Sequence, residues 1–236
     1  PVAQVPAAVT SSDPAIAQIV ATTVVARANG TVTLTASYQG LTATLPVRVR
    51  RVAKSITFTP GTLAFPALGV DTAVVAVVRD TRDSVMTAAA PSWVSLAPSD
   101  VEVVSPGTLR ALTRTGGTVR VTVDTVTRDL VTTVSQVPHE IVKLAGDAQV
   151  ADVAAALAIA PSVEVRDRGG YVIPGASVSF TTTSGSVVTP VATTGATGQA
   201  SSGAWTLGTV SGAVVLNVTS GTAATSFGAT ARPGPA

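Results

Sequence analysis

Several residue types on which enzymes depend are scarce in this sequence. It contains no cysteine, one histidine, and only 3% aromatic residues among 236 positions. The absence of cysteine excludes a disulfide framework and thiolate chemistry. The histidine, His139, stands beside Glu140 without the spacing of a zinc-binding helix, so we expect it to lie solvated in a linker. We therefore predict that the chain is not an enzyme and holds no cofactor or metal.

Charge is sparse as well. Charged residues make up 12% of the chain, and the formal net charge is +2. Basic residues are not clustered with aromatic side chains, so we expect no nucleic-acid partner. Asp80 and Asp83 are close in sequence, but calcium takes about six to eight oxygen ligands, and we predict a turn there. The most apolar stretch, 150–160, is interrupted by Asp152 and is far shorter than the ~20 residues of a membrane span, so no transmembrane span is predicted.

An internal repeat is the main positive signal. Equivalent residues recur 87 positions apart without a gap, and the matched pairs are Ser12-Asp13 with Ser99-Asp100, Arg27 with Arg114, Gly30-Thr31-Val32 with Gly117-Thr118-Val119, Leu34 with Val121, and Val47 with Val134. A fixed period of this kind indicates tandem copies of one module. Valine and threonine are abundant, which favours strands over helices.

The second copy shows what the module is. Val119, Val121 and Val123 alternate with polar residues, which is typical of a strand with one buried and one solvated face. Residues 73–78 form a continuous apolar run, which predicts one central strand. About seven short strands separated by turns within one copy indicate an Ig-like β-sandwich. The predicted fold class is all-β, with three tandem Ig-like β-sandwiches of which the first is incomplete.

The predicted domains follow from the repeat. They are a partial module at 1–52, a second module at 53–137, a third at 138–232 and a tail at 233–236. The connectors between modules are short and not rich in glycine or serine, so we expect stiff joints. The first module lacks a counterpart of residues 54–86. We expect either that this counterpart precedes residue 1, or that another chain completes residues 1–52.

Particular motifs carry a family resemblance. The segments Ser11–Ala17 (SSDPAIA) and Ala28–Ala36 (ANGTVTLTA) resemble bacterial Ig-like group 2 domains, and residues 54–135 look like a divergent second copy. The third module resembles the group 1 domains of the invasin and intimin type. The segments that carry this likeness are GDAQ at 146–149, VEVRD at 163–167, IPGASVSF at 173–180, TGQA at 197–200 and WTLG at 205–208.

The resemblance implies extracytoplasmic β-sandwich modules of a bacterium, in the periplasm or at the cell surface, with no shared catalytic residues. We accordingly predict a non-catalytic rod of modules that acts as a spacer or adhesive segment at the cell surface. The alternative is a structural accessory subunit docked on the periplasmic face of a respiratory, photosynthetic or secretory membrane complex. In either case the expected partners are other proteins, namely surface proteins or membrane-complex subunits.

One charge cluster is a candidate interaction site, and its members are Arg48, Arg50, Arg51 and Lys54. It has the chemistry to meet an acidic partner or, peripherally, a membrane surface. The alternative is that these charges protect an edge strand from aggregation. Trp93 and Trp205 have the chemistry of interface anchors, but we predict that both lie in sandwich cores.

Overall fold

The computed structural model describes residues 8–234, and every regular element among them is a β-strand. The predicted fold class, an all-β chain of tandem β-sandwich modules, is thereby confirmed. Residues 1–7 of the predicted first module and residues 235–236 of the predicted tail lie outside the described part. The chain divides into two compact units. Compact unit 1 comprises Pro1–Thr57, Ala76–Pro91 and Thr122–Arg128, and compact unit 2 comprises Phe58–Val75, Ser92–Val121 and Asp129–Ala236.

The first five strands lie in compact unit 1. They are β1 (Ala8–Ser11), β2 (Ala17–Val20), β3 (Thr23–Ala26), β4 (Gly30–Tyr38) and β5 (Leu41–Val49). One sheet has the order β1-β4-β5, and β2 and β3 form a separate hairpin. Gln39 and Gly40 join β4 to β5 with φ of 48° and 82°, the left-handed conformation that a two-residue type I′ turn requires. The buried core here is small and consists of Ala17, Val32, Leu34 and Val49.

Nine strands follow between residues 53 and 134. They are β6 (Ala53–Thr59), β7 (Leu63–Phe65), β8 (Asp71–Ala73), β9 (Val75–Asp80), β10 (Ser92–Ser95), β11 (Val101–Ser105), β12 (Thr108–Ala111), β13 (Gly117–Val123) and β14 (Val126–Val134). β6 pairs with β9, and two further sheets have the orders β10-β13-β14-β7 and β11-β12-β8. In compact unit 2 a core cluster forms around Leu63, Phe65, Leu109, Val119 and Leu130.

The predicted single strand over 73–78 is wrong. β8 pairs with β12 and β9 pairs with β6, so the apolar run changes sheets at Val74. The Val74 side chain is buried, and its N–H donates to the carbonyl of Gly107 at 2.9 Å. The break is therefore held by one backbone hydrogen bond, and no glycine or proline marks it in the run itself.

Ten strands complete the chain in compact unit 2. They are β15 (Glu140–Ala145), β16 (Gln149–Asp152), β17 (Ser162–Arg166), β18 (Ser177–Thr182), β19 (Ser186–Val187), β20 (Val191–Thr193), β21 (Gln199–Ser201), β22 (Trp205–Thr206), β23 (Gly212–Ser220) and β24 (Ala223–Arg232). The sheets are β15-β17-β21, β16-β24-β23-β18-β20 and β19-β22. Their core contains Phe180, Trp205 and Phe227 among many valines.

The two tryptophans occupy different environments. Trp205 is fully buried, as predicted, and its indole N–H donates to Thr182 Oγ1 at 3.1 Å. Trp93 is only half-buried and packs against the edge of its core, with its ring centroid 6.1 Å from that of Phe58. Trp205 is therefore a core anchor, whereas Trp93 covers the margin of a core.

Two long strands, β14 and β24, each have a parallel neighbour. β7 pairs in parallel with β14, and β16 pairs in parallel with β24. β5 occupies the same place in the 87-residue repeat as β14, yet it lies at the edge of its sheet in the described part of the chain. Among residues 8–234, β5 therefore pairs on one side only, whereas β14 and β24 pair on both sides.

Candidate functional sites at the two linkers

The four predicted interaction cations lie in compact unit 1, and they are Arg48, Arg50, Arg51 and Lys54. Arg51 is half-buried and forms an ion pair of 2.7 Å with Asp80. Arg50 forms a more exposed pair of 3.2 Å with Asp124. The other two, Arg48 and Lys54, are exposed. The structure thus places two of the four in ion pairs within the chain, and a partner role for the group remains a prediction.

Asp80 organises a tight turn at the end of β9, as the sequence predicts for this segment. Its Oδ1 accepts hydrogen bonds from the backbone N–H groups of Arg82 at 2.9 Å and Ser84 at 3.0 Å. The Asp80 N–H donates to the Ser84 carbonyl at 3.0 Å and closes the turn. We call Asp80–Val85 the Asp80 socket, because Oδ2 of its buried carboxylate is left to bind a group from elsewhere.

The same construction recurs 87 residues later, after β17. Asp167 Oδ1 accepts from the N–H groups of Gly169 at 2.9 Å and Tyr171 at 3.0 Å. The Asp167 N–H donates to the Tyr171 carbonyl at 2.9 Å. Gly170 has φ of 82°, where the Asp80 socket has Asp83 with φ of 61°. We call Asp167–Val172 the Asp167 socket; Asp167 is 2% exposed.

A linker arginine fills the Asp80 socket. Arg51 donates through Nε to Asp80 Oδ2 at 2.7 Å. Its Nη2 donates to the carbonyl oxygens of Ser84 at 2.9 Å and Val85 at 3.1 Å. The guanidinium therefore satisfies the free carboxylate oxygen and two turn carbonyls at once, which its planar fork of donors suits.

A linker glutamine fills the Asp167 socket. Gln136 Nε2 donates to Asp167 Oδ2 at 2.7 Å, and the backbone N–H of Leu68 donates to the same oxygen at 2.9 Å. Arg114 supports this arrangement from the side. Its Nε donates to Gln136 Oε1 at 2.8 Å, and its Nη2 donates to the Val172 carbonyl at 2.6 Å.

The two sockets differ in how closely the backbone packs. A Cβ added at Gly169 would lie 1.9 Å from the Leu68 carbonyl oxygen, so only glycine fits there without a shift of the main chain. The equivalent residue of the Asp80 socket is Arg82, which is exposed. The Asp167 socket is therefore close-packed and the Asp80 socket is open on that side.

The charges around the first linker act on two carboxyl groups. For Asp80, burial raises the pKa, but hydrogen bonds from the Ser84 N–H, the Arg51 side chain and the Arg82 N–H outweigh it, so the pKa is lowered. For Asp124, the Ala53 N–H and then the Arg50 side chain lower the pKa. Both carboxylates are therefore stabilised in their charged form.

Sequence reasoning missed the sockets as binding elements. The 87-residue spacing that relates the first two modules also relates Arg79-Asp80 to Arg166-Asp167, and Val85 to Val172. In each socket the residues that flank the turn form an isolated antiparallel bridge, Arg79 with Val85 and Arg166 with Val172. Extending the repeat into the third module would have related the two turns to each other, although it would not have identified the side chains that bind them.

The remaining predicted features concern metal ligands, His139 and membrane spans. Among residues 8–234, no group of three or more His, Cys, Asp or Glu side chains is placed to hold a metal ion. His139 is exposed, and its backbone N–H donates to the Arg166 carbonyl at 2.9 Å. Within the same described range, no helix has the length and apolar character to cross a bilayer.

No family model matches the chain, and no curated protein matches it. Similar solved structures include domains 4–9 of the surface-layer protein SbsC, at 17% identity and a TM-score of 0.34 over 96% of the chain. The adhesin InvE of Yersinia pseudotuberculosis is similar at 15% identity and a TM-score of 0.36 over 75% of the chain. The D00–D0 domain of intimin is similar at 14% identity and a TM-score of 0.35, also over 75%.

The chain spans 39% of that SbsC structure, 58% of the InvE structure and 100% of the intimin structure. Adhesin domains of the intimin and InvE kind are thus among the solved structures to which the chain is similar. At these TM-scores the likeness is confined to the general β architecture and carries no argument about function.

Proposed function

We propose that the chain is a non-catalytic, extracytoplasmic structural protein whose Ig-like modules form a rod that acts as a spacer or adhesive segment at the bacterial cell surface. The observation that carries the proposal is the repeated socket. At each of two linkers, a linker side chain binds the buried aspartate of the turn that follows. Contacts of this kind suit a spacer of fixed length, because they restrict bending at the linkers.

The linkers are also tied along their backbones. In compact unit 2 the N–H groups of Ser135 and Val137 donate to the carbonyls of Phe65 and Pro66, both at 2.9 Å. In compact unit 1 the N–H of Ala53 donates to Asp124 Oδ2 at 3.1 Å. Each such bond removes conformational freedom from a connector that would otherwise behave as a flexible chain. These contacts, together with the sockets, support the prediction of stiff joints.

The surface-layer and adhesin structures named above agree with this proposal without carrying it. The extracytoplasmic location rests on the motif resemblance.

Small-angle X-ray scattering on the 236-residue chain tests the proposal. If each sandwich contributes ~35–40 Å, we expect a maximum dimension of about 100–120 Å. The double variant Arg51→Ala/Gln136→Ala should broaden the distance distribution while the cores stay folded. The control Arg48→Ala/Lys54→Ala removes two exposed cations and should leave the profile unchanged. A compact wild-type profile, or a double variant identical to wild type, would contradict the spacer role.

A second candidate is the accessory subunit docked on the periplasmic face of a membrane complex. The observation that favours it is the exposed apolar end of the sheet β1-β4-β5, where Leu41 is 76% exposed and Leu45 is 60% exposed. Cross-linking on solubilised envelopes of the source organism separates the two. A stoichiometric partner on residues 8–49 favours the subunit, and a chain without such a partner favours the spacer.

A further inference from the structure

A cavity of about 420 Å³ in compact unit 2 opens beside the linker that follows β14, and we call it the Arg114 cavity. Its volume lies within the ~300–1,000 Å³ that is usual for small-molecule sites. The larger part of its wall is apolar, and the side chains of that part are Val134, Pro138, Ile173, Pro174 and Ala176. A molecule bound there gains from burial only if its body is apolar too.

The polar part of the wall contains a cation and no acid. Of the described residues that line the cavity, Arg114 alone is charged, and the other polar side chains are Gln136, Ser177 and Ser220. An anion in the cavity would therefore meet a cation without repulsion from an acid in the wall. A second cavity of compact unit 2, of about 610 Å³, has Asp100 and Asp129 in its wall. The Arg114 cavity accordingly favours an anion more than this acidic cavity does.

The guanidinium of Arg114 keeps most of its hydrogen-bond donors. It has five N–H groups in a planar fork. Nε donates to Gln136 Oε1 at 2.8 Å, and one N–H of Nη2 donates to the Val172 carbonyl at 2.6 Å. The other three N–H groups, two on Nη1 and one on Nη2, have no acceptor among residues 8–234. Two terminal nitrogens of one guanidinium can donate side by side to both oxygens of a carboxylate.

The carboxylate of Asp167 does not compete for these donors. Its Oδ1 accepts two backbone N–H groups of its own turn, and its Oδ2 accepts from Gln136 Nε2 and the Leu68 N–H. Gln136 stands between the two ionised groups, because its Oε1 accepts from Arg114 while its Nε2 donates to Asp167. Within residues 8–234, none of the ion pairs includes Arg114. The charge of Arg114 is therefore left for a ligand.

We infer that the Arg114 cavity binds a carboxylate carried by a compact apolar group. The carboxylate pairs with the free terminal nitrogens of Arg114, and the apolar group lies against Ile173 and Pro174. A single arginine matches the one charge and two oxygens of a carboxylate better than the larger charge and three oxygens of a phosphate group. A free carboxylic acid and the C-terminal residue of a polypeptide share this chemistry. The inference concerns compact unit 2 and does not depend on the spacer role.

The test is a nitrogen-15 NMR titration of the full chain with isocaproate, at low ionic strength because salt screens an exposed charge. The amides of Gly175 and Gly221, which line the cavity, should shift and reach saturation. The amides of Gly116 and Gly117, which line the acidic cavity, should stay in place. Isocaproamide has the same apolar body without the charge, and it should bind about tenfold more weakly or worse.

Two variants test the two parts of the site. Arg114→Lys keeps the charge but removes the fork, and it should weaken isocaproate binding about three- to tenfold; the Gly169 amide reports in the same spectra whether the Asp167 socket is intact. Ser177→Leu enlarges an exposed side chain of the cavity wall and should weaken binding about tenfold by filling the space. The matched control Thr181→Leu alters an exposed residue on the same face of β18, outside the cavity, and should leave the affinity unchanged.

A peptide separates the two sources of the carboxylate. If acetyl-Gly-Gly-Leu with a free C-terminus binds more tightly than isocaproate, the natural ligand is a polypeptide C-terminus; if it does not, the ligand is a free acid.

Three results would overturn the inference. They are the absence of saturable shifts at Gly175 and Gly221, equal affinity for isocaproate and isocaproamide, and undiminished binding by Ser177→Leu. None of these readouts depends on the maximum dimension of the chain, so the spacer role and this inference can fail separately.

Discussion

The two sockets share the same backbone turn, but one binds a charged side chain and the other a neutral one. Asp80 and Asp167 each close a turn by accepting two backbone N–H groups on Oδ1, and each offers Oδ2 to a linker side chain. In the first socket that side chain is the charged guanidinium of Arg51, with Arg82 exposed beside it. In the second socket it is the neutral amide of Gln136, and Gly169 lies directly against the backbone of Leu68.

The difference separates two ways to stiffen a linker. The ion pair of the first socket, in which the Arg51 side chain is 18% exposed, is weakened by salt and by protonation of Asp80. A buried carboxylate that is satisfied by N–H donors and closed in by backbone contacts is less sensitive to salt, but it is costly to disturb. We therefore expect the Asp80 socket to respond to solvent conditions and the Asp167 socket to respond to mutation.

Removing the two carboxylates should give the largest contrast. Asp167→Ala leaves the N–H groups of Gly169, Tyr171 and Leu68 and the amide of Gln136 without their acceptor, and we expect a loss of about 3 kcal/mol in the free energy of unfolding. Asp80→Ala leaves more accessible donors, so its cost should be smaller. Urea unfolding followed by tryptophan fluorescence measures both. Equal losses in the free energy of unfolding would contradict the expectation that the Asp167 socket is the more costly one to disturb.

Adding a side chain at the close backbone contact of the second socket should have the next largest effect. Gly169→Ala forces a Cβ against the Leu68 carbonyl, and we expect it to cost about 1–3 kcal/mol, the usual range for an overpacked site. The matched variant at the equivalent position, Arg82→Ala, removes an exposed side chain and should change stability by less than ~0.5 kcal/mol. Thermal unfolding of the two variants side by side checks this. A tolerated Gly169→Ala would show that the close approach is not required.

Much of the strand pattern can be predicted from the sequence because it has a period of two. β13 is an example, since Val119, Val121 and Val123 are all buried. The break at Val74 could not be predicted, because it depends on a hydrogen bond to Gly107, 33 residues away. Long-range partners of this kind leave no local composition signal.

The sites show the same limit. Arg51 stands out in the sequence as one of a run of cations, but its partner Asp80 is 29 residues away. Gln136 stands out in no way, and it meets Asp167 only because the linker register brings them together. The turns themselves are predictable from the sequence, since an Asp that bonds to the backbone two residues on is a local feature.

Lowering the pH should have the smallest of these effects on stability, and the effect should be specific to the first socket. The lowered pKa of Asp80 means that its contribution to stability is fully present above the usual value of 3.8 and is lost as the pH falls through the lower pKa of the folded chain. Gln136 does not titrate. Arg51→Gln places a glutamine in the first socket, as Gln136 is in the second. The variant should bring the pKa of Asp80 closer to 3.8 and reduce the pH dependence of unfolding.

A carbon-13 NMR titration of the aspartate carboxyl groups resolves this change. Asp124 is the internal control in the same spectra, because its pKa is lowered by Ala53 and Arg50 and not by Arg51. If Asp80 titrates identically in wild type and Arg51→Gln, the ion pair contributes nothing to the socket and the backbone donors alone hold the carboxylate charged. If the pKa of Asp80 changes and that of Asp124 does not, the ion pair with Arg51 contributes to the first socket an electrostatic stabilisation that the neutral Gln136 does not give the second.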